Sequence, residues 1–313
     1  MRKNEEDIAE WDYFLSDIED YILDLDRKEI TKDSYKRILL RFSSYLRERK
    51  IIKPRSRDVL RYKKHLEKTV HAAMIAKVVV VLRGFFSYMA LNGRYVNIMT
   101  GIRGVTIKPI MKRDSLGMDQ MVGLLKLAKS LKGHSIEGCR NYAIIYLLAT
   151  TGLRTIEVER SNIADISVID DTNILFIQGK GRNDKDAYVK LSDEAYEAIV
   201  EYLSLRNDDN EALFVTHGHS SNGKRIQTRV IRGFIKDYFL RIGIENKNAT
   251  AHSLRHFACS QILLNGGTLE EARQVLRHAS ISTTQIYNHA LNRKDNNSEI
   301  RLSSKIKELM KED

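Results

Sequence analysis

The chain has little cysteine and little proline: Cys139 and Cys259, Pro54 and Pro109, among 313 residues. Two cysteines, each inside an apolar helical pattern, exclude a disulfide framework and read as buried free thiols of a reducing compartment. No CxxC pair or Cys/His cluster is present, so no metal is expected. Long apolar runs are missing too. Val78–Leu82 and Ala143–Ala149 are the longest, far below the ~20 residues that cross a bilayer. The opening stretch MRKNEEDIAE is charged and has no apolar core, so no signal peptide is expected. These absences predict a cytoplasmic protein without a membrane partner. Acidic residues are outnumbered, 41 Asp and Glu against 52 Lys and Arg, and the net charge of +11 points to a polyanionic partner.

What is present is mostly helical periodicity. Trp11, Phe14, Leu15, Ile18, Tyr21 and Ile22 recur at helical steps. A second pattern runs from Ser34 to Arg49, with Thr31 as the expected N-cap. A third starts near Ser56, after Pro54. A fourth runs from His71 to Leu91, with Leu82, Phe85, Phe86 and Met89 as its stripe and Asn92-Gly93 as its C-cap. These helices carry many cations, among them Arg41, Arg47, Arg57, Arg61 and Lys64. Taken alone, they fit a solvated bundle face as well as a phosphate-binding one. Residues 104–115 break the periodicity and read as a basic linker.

Helical patterns resume over 118–130 and 138–150. Asn173–Ile177 and Ala187–Leu191 are β-branched and apolar around a Gly- and Asp-rich gap, a hairpin signal. Ser192 caps a helix to about Leu205. Residues 207–224 read as a polar loop, in which His217 and His219 lack the acidic or cysteine partners of a metal site. A cationic helix follows over 227–242. The predicted fold is mainly α with a small β-hairpin or sheet in the C-terminal domain. Its parts are residues 1–107 (N-terminal helical domain), 108–115 (linker), 116–293 (C-terminal mixed domain) and 294–313 (an amphipathic tail).

The most informative stretch is Ala251 to His289. His252 and Arg255 are three residues apart and share a helix face. Thr268 and Glu271 form a T-x-x-E capping box, followed by Leu269, Ala272, Val275 and Leu276. A second box, Ser282 with Gln285, opens a short helix carrying Tyr287. Helical spacing brings a cationic pair, a late histidine (His278) and a tyrosine within folding reach of one another.

This stretch resembles the C-terminal signature of the tyrosine recombinases, the integrase and Xer family. HSLRH matches the HxxR box, and LRHASISTTQIYNH looks like the LGHxSxxxTxxYxH box. The resemblance implies two further residues: Arg154 in Thr151-Gly152-Leu153-Arg154, and Lys180 in QGKGRNDKD. Lys185 lies in the same turn, and the GKG match favours Lys180. Six positions in order, Arg154, Lys180, His252, Arg255, His278 and Tyr287, are far more specific than any single box. His256 reads as structural, and His289 as a residue that orients the tyrosine loop. The chain departs from the family at Arg277, where glycine is usual. Arginine in the left-handed backbone a glycine would take there costs about 1 kcal/mol. The loop into Ala279–Ser282 is therefore expected to differ, with Arg277 free to reach a phosphate.

The implied chemistry suits these residue types. A tyrosine phenol, with a pKa of ~10, can attack phosphorus and later leave. It forms a 3′-phosphotyrosyl link, frees a 5′-hydroxyl and keeps the energy for rejoining. Guanidinium forks match the non-bridging oxygens of the transition state. Histidines donate hydrogen bonds or take the tyrosine proton, and a lysine protonates the departing oxygen. No cofactor or metal is called for. The implied partner is double-stranded DNA with inverted-repeat core sites. Two chains would bind each site and four would form the synapse, with room for an accessory DNA-bending protein. The tail would dock on a neighbouring protomer or on its own domain. No arm-binding domain is visible, which leans towards a simple Xer-like or small-transposon enzyme. Two rivals are a type IB topoisomerase-like enzyme and a DNA-binding regulator that has lost catalysis. A third, a metal-dependent nuclease, would be stopped by EDTA.

Overall fold

The computed structural model describes residues 2–105, 116–179, 184–185, 187–218, 223–246 and 248–277, with 300 and 303; of 2–10, 12 and 13 it describes the backbone alone. The chain divides into two compact units, Met1–Pro109 and Ile110–Asp313. The expected linker 108–115, the second capping box at Ser282 and the tail 294–313 lie outside the described residues, apart from Ile300 and Ser303.

The first unit holds four helices among its described residues: α1 (Arg2–Asp24), α2 (Glu29–Glu48), α3 (Ser56–Glu67) and α4 (Ala72–Leu91). Its core is aromatic. Phe42, Phe85 and Phe86 are fully buried, and their rings meet edge to face at 5.2–6.2 Å, the arrangement the ring quadrupoles favour. The α4 stripe read from the sequence is all buried. By length and composition this 20-residue helix is apolar enough to cross a membrane, a property that counting uninterrupted runs missed. Its buried side chains belong to the aromatic core, which accounts for the composition. Helix α2 starts five residues before the expected Ser34, with Lys28 as N-cap, so Thr31 lies in its first turn. The buried apolar face begins after Tyr35, and the first turn offers only an exposed Ile30, which leaves no periodicity to read.

The second unit is built on α6 (Ile136–Thr151), which is buried nearly all round, as a central helix must be. Around it pack α5 (Met118–Lys132), α8 (Asp193–Ser204), α9 (Thr228–Arg241) and α10 (Ala251–Leu264). A short helix α7 (Thr155–Arg160) follows α6 directly, and α11 (Leu269–Leu276) follows α10. Ser192 caps α8 as read, accepting from the Ala195 N–H.

The sheet has three antiparallel strands rather than two: β1 (Ile166–Ile169), β2 (Thr172–Ile177) and β3 (Ala187–Lys190), in that order. Ile169 pairs with Thr172 across Asp170-Asp171. Both aspartates have positive φ, 46° and 58°, the two-residue turn whose twist matches the strands. The long β2–β3 connection is the one that carries Lys180. The segment read as a polar loop hides a core element. Ala212, Leu213, Phe214 and Val215 are buried, held by isolated bridges from Ala212 to Asn162 and from Val215 to Arg225. Cys139 and Cys259 are free and buried. Burial pushes the Cys259 thiol up to about 12, against the opposing charge of Arg255.

Candidate active site

Three chain turns meet in the second unit, and each carries an arginine. The first is the end of α6. Gly152 caps it with φ 61° and its N–H on the Leu148 carbonyl. A Cβ there would lie 2.5 Å from Leu276 Cδ2 and 3.4 Å from Ala258 Cβ, so both conformation and space require glycine. Two residues on, Arg154 is the N-cap of α7. Its N–H donates to Glu157 Oε2 at 2.7 Å and its Nη1 to Glu157 Oε1 at 2.9 Å. The Glu157 side chain is 1% exposed and that of Arg154 29%.

The second turn opens α10. Thr250 and Ser253 cap it reciprocally: the Thr250 hydroxyl accepts from the His252 N–H, and the Ser253 hydroxyl from the Thr250 N–H. That places His252 on the exposed side and Arg255 inside. Arg255 is the largest fully buried side chain among the described residues. Its Nη1 donates to the Gly152 carbonyl at 2.5 Å and its Nη2 to the Leu276 carbonyl. Those carbonyls end α6 and α11, the negative poles of two helices, where a cation is favoured. One guanidinium therefore ties the turn before Arg154 to the turn before His278.

The third turn ends α11. Thr268 and Glu271 form the expected reciprocal box. Of the predicted stripe, Ala272 and Leu276 are buried and Leu269 half-buried, but Val275 is 38% exposed. Arg277 adopts the glycine-like backbone after all, with φ 53° and ψ 47°. Its guanidinium turns inward, Nη2 to Glu157 Oε2 at 3.0 Å and Nη1 to the Val275 carbonyl at 2.6 Å.

The electrostatics follow. Burial alone would raise the Glu157 carboxyl; the charge of Arg277, then the N–H, charge and hydrogen bond of Arg154, hold it below the ordinary carboxylate value. His252 keeps an exposed edge. Even so, partial desolvation by the surrounding protein, then the positive charges of His256, Arg255, Arg154 and Arg232, push its imidazole down to about 4. Its ring stands edge to face with that of His256 at 4.6 Å. Two arginines on the one Glu157 carboxylate, with Arg255 braced on the Gly152 and Leu276 carbonyls, leave an excess of positive charge, a place for an anion.

Lys180, His278 and Tyr287 lie outside the described residues. The chain on either side is placed. Arg160, at the end of α7, has Nη1 3.5 Å from the Gly179 carbonyl, next to Lys180. Lys185, the other lysine of that turn, has its Nζ on both oxygens of Asp165, at 2.5 and 2.6 Å. His217 meets the Tyr202 hydroxyl at 2.9 Å, and His219 is outside the described residues. Among the described residues no group of three or more His, Cys, Asp and Glu is placed to hold a metal ion. Sequence reading passed over the shared role of Glu157. Its signal was there, a carboxylate three residues after an N-cap arginine.

The profile of the Phage integrase family matches residues 115–294. Among relatives, the chain is 29% identical to tyrosine recombinase XerD of Lacticaseibacillus casei over 300 residues, covering 88% of this chain and 94% of that protein. It is 30% identical to tyrosine recombinase XerC of Herpetosiphon aurantiacus over 242 residues, 72% of each. In fold it is similar to XerH site-specific recombinase bound to palindromic difH substrate (TM-score 0.71, 20% identity, 88% of this chain and 79% of that one). It is also similar to a lambda integrase dimer bound to a COC′ core site (TM-score 0.66, 14% identity, 86% and 96%). Sequence and fold together define the class, a tyrosine-type site-specific DNA recombinase. The chain belongs to the phage integrase family.

Proposed function

We propose that this chain cleaves and rejoins DNA strands with Tyr287 as nucleophile. The Tyr287 oxygen attacks the scissile phosphorus, forming a 3′-phosphotyrosyl link as the bond to the 5′-oxygen breaks. Arg154 and Arg255 hold the non-bridging oxygens, His252 and His278 donate to them or take the phenol proton, and Lys180 protonates the departing 5′-oxygen. The carrying observation is the Arg255 brace, which ties together the turns leading into Arg154 and His278. A guanidinium has five N–H donors, and the brace uses one on each Nη. The ion pair of Lys185 with Asp165 supports Lys180 as the acid of that turn. Fixed cations meet the needs of this chemistry, and the proposal includes no metal or cofactor. We further infer two chains on each inverted-repeat core site, four in the synapse, and action in the cytoplasm, the tail 294–313 joining protomers.

The test is trapping on nicked duplexes drawn from DNA flanking the gene, from which the 5′-hydroxyl fragment diffuses away. Wild type is expected to accumulate a covalent protein–DNA complex in EDTA, and Tyr287→Phe none. Trapping by Tyr287→Phe would remove the nucleophile assignment. Relaxation of supercoiled DNA without any recombination would move the chain to the topoisomerase-like reading.

A further inference from the structure

The residue before His278 departs from the family pattern, and its side chain is occupied. Arg277 takes a left-handed backbone that L side chains seldom adopt. Its guanidinium donates to Glu157 Oε2, and its Nε is buried with no hydrogen-bond partner among the described residues. Glu157 is the carboxylate that also receives Arg154. Arg277, 120 positions from Glu157 in the chain, thus shares that carboxylate with Arg154.

We propose that Arg277 is a positioning residue for Arg154, acting through Glu157. The inference rests on the catalytic reading above. A carboxylate facing a single guanidinium takes it with both arms. Here Oε2 takes Arg277 Nη2 together with the Arg154 N–H, so the Arg154 side chain is held through one Nη1 on Oε1 and its charge stays available to a phosphate. Arg277 also ties the start of the segment carrying His278 to the turn carrying Arg154. With glycine at 277 the backbone strain is gone, but Glu157 can close on Arg154 and withdraw it. The loss of activity then appears in the chemical step rather than in DNA affinity.

The experiment is single-turnover trapping on a nicked duplex that the wild-type chain captures covalently, with rates taken across duplex concentration. Arg277→Gly is expected to slow covalent complex formation at saturating duplex at least tenfold, with the half-saturating concentration unchanged; the lost ion pair to Glu157 lowers the melting temperature, so rates are taken well below it, where the variant is folded. Arg277→Lys should recover part of the rate. Arg277→Asn, which also tolerates the left-handed backbone, should show the same split as Arg277→Gly. Glu157→Gln is the deciding background: adding Arg277→Gly to it should slow the reaction no further. The inference is overturned if Arg277→Gly and Arg277→Asn cleave at the wild-type rate. It is equally overturned if the loss lies only in half-saturation, as for a direct phosphate contact, or is the same size in both backgrounds. Failure of the wild-type chain to trap any duplex would instead overturn the recombinase reading on which the inference stands.

Discussion

Glu157 shows how much rests on one side chain. It is a buried carboxylate whose ionised form is held by two arginines. Breaking one partner out of such a buried set costs about 3 kcal/mol. Its folded pKa lies below its ordinary 4.5. Its stabilising effect is therefore complete above that value and is lost as pH falls through the folded value. Glu157→Gln is expected to melt well below wild type at pH 7, and the gap should close as the pH drops below 4.5. A gap that stays constant down to pH 3 would show that the charge is not what stabilises. His252 is shifted by different causes. Partial desolvation and neighbouring cations keep its imidazole neutral at pH 7, with a pKa of about 4. A phosphate brought among those cations offsets their repulsion, so the pKa should rise by at least a unit on DNA binding. Histidine NMR titration of Tyr287→Phe, free and on DNA, measures it. An unchanged value would mean that His252 does not face the phosphate.

At the scale of elements, the site is three helix ends locked by Gly152 and Arg255. Gly152→Ala would add left-handed strain of about 1 kcal/mol and drive a methyl into Leu276, an overpacking that typically costs 1–3 kcal/mol more. It should lower the melting temperature clearly and slow trapping, because the displaced turn is the one that ends in Arg154. A stable but inactive Gly152→Ala would put the fault in the alignment of that turn alone. Much at this scale was legible in the sequence. The T-G-L-R turn, the HxxR pair and the Thr268 box are local signals, each written within a few residues. The missed parts are non-local. β1 has four residues, three of them exposed, so it shows no alternation, and its turn is marked only by Asp170-Asp171. The buried segment 212–215 is flanked by polar residues and pairs through isolated bridges, which no periodicity reveals. The HxxR spacing put His252 and Arg255 on one helix face, whereas the structure leaves His252 exposed and buries Arg255. The spacing could not give a contact 103 residues away at Gly152, nor the inward turn of Arg277.

For the whole molecule the governing quantity is charge. The net +11 includes an exposed set on the first unit, Arg41, Arg47, Arg57 and Lys64 on and beside α2 and α3. Composition could not say whether that set binds phosphate or is only solvated. Burial does not decide it either, since exposed cations look alike in both cases. Salt dependence does. Each phosphate neutralised contributes about −0.9 to the slope of log K against log salt on duplex DNA. Replacing both Arg47 and Arg57 by alanine should therefore make the slope shallower by up to ~1.8, with affinity falling alike for specific and random duplexes, because backbone contacts carry no sequence information. Arg154→Ala should behave differently. It removes one transition-state donor, so covalent trapping should slow ~10²–10³-fold while the slope changes by no more than about one contact. Binding measured between 50 and 200 mM salt separates the two. If the double variant leaves the slope untouched, the cations of α2 and α3 serve solubility, and DNA is gripped elsewhere on the chain.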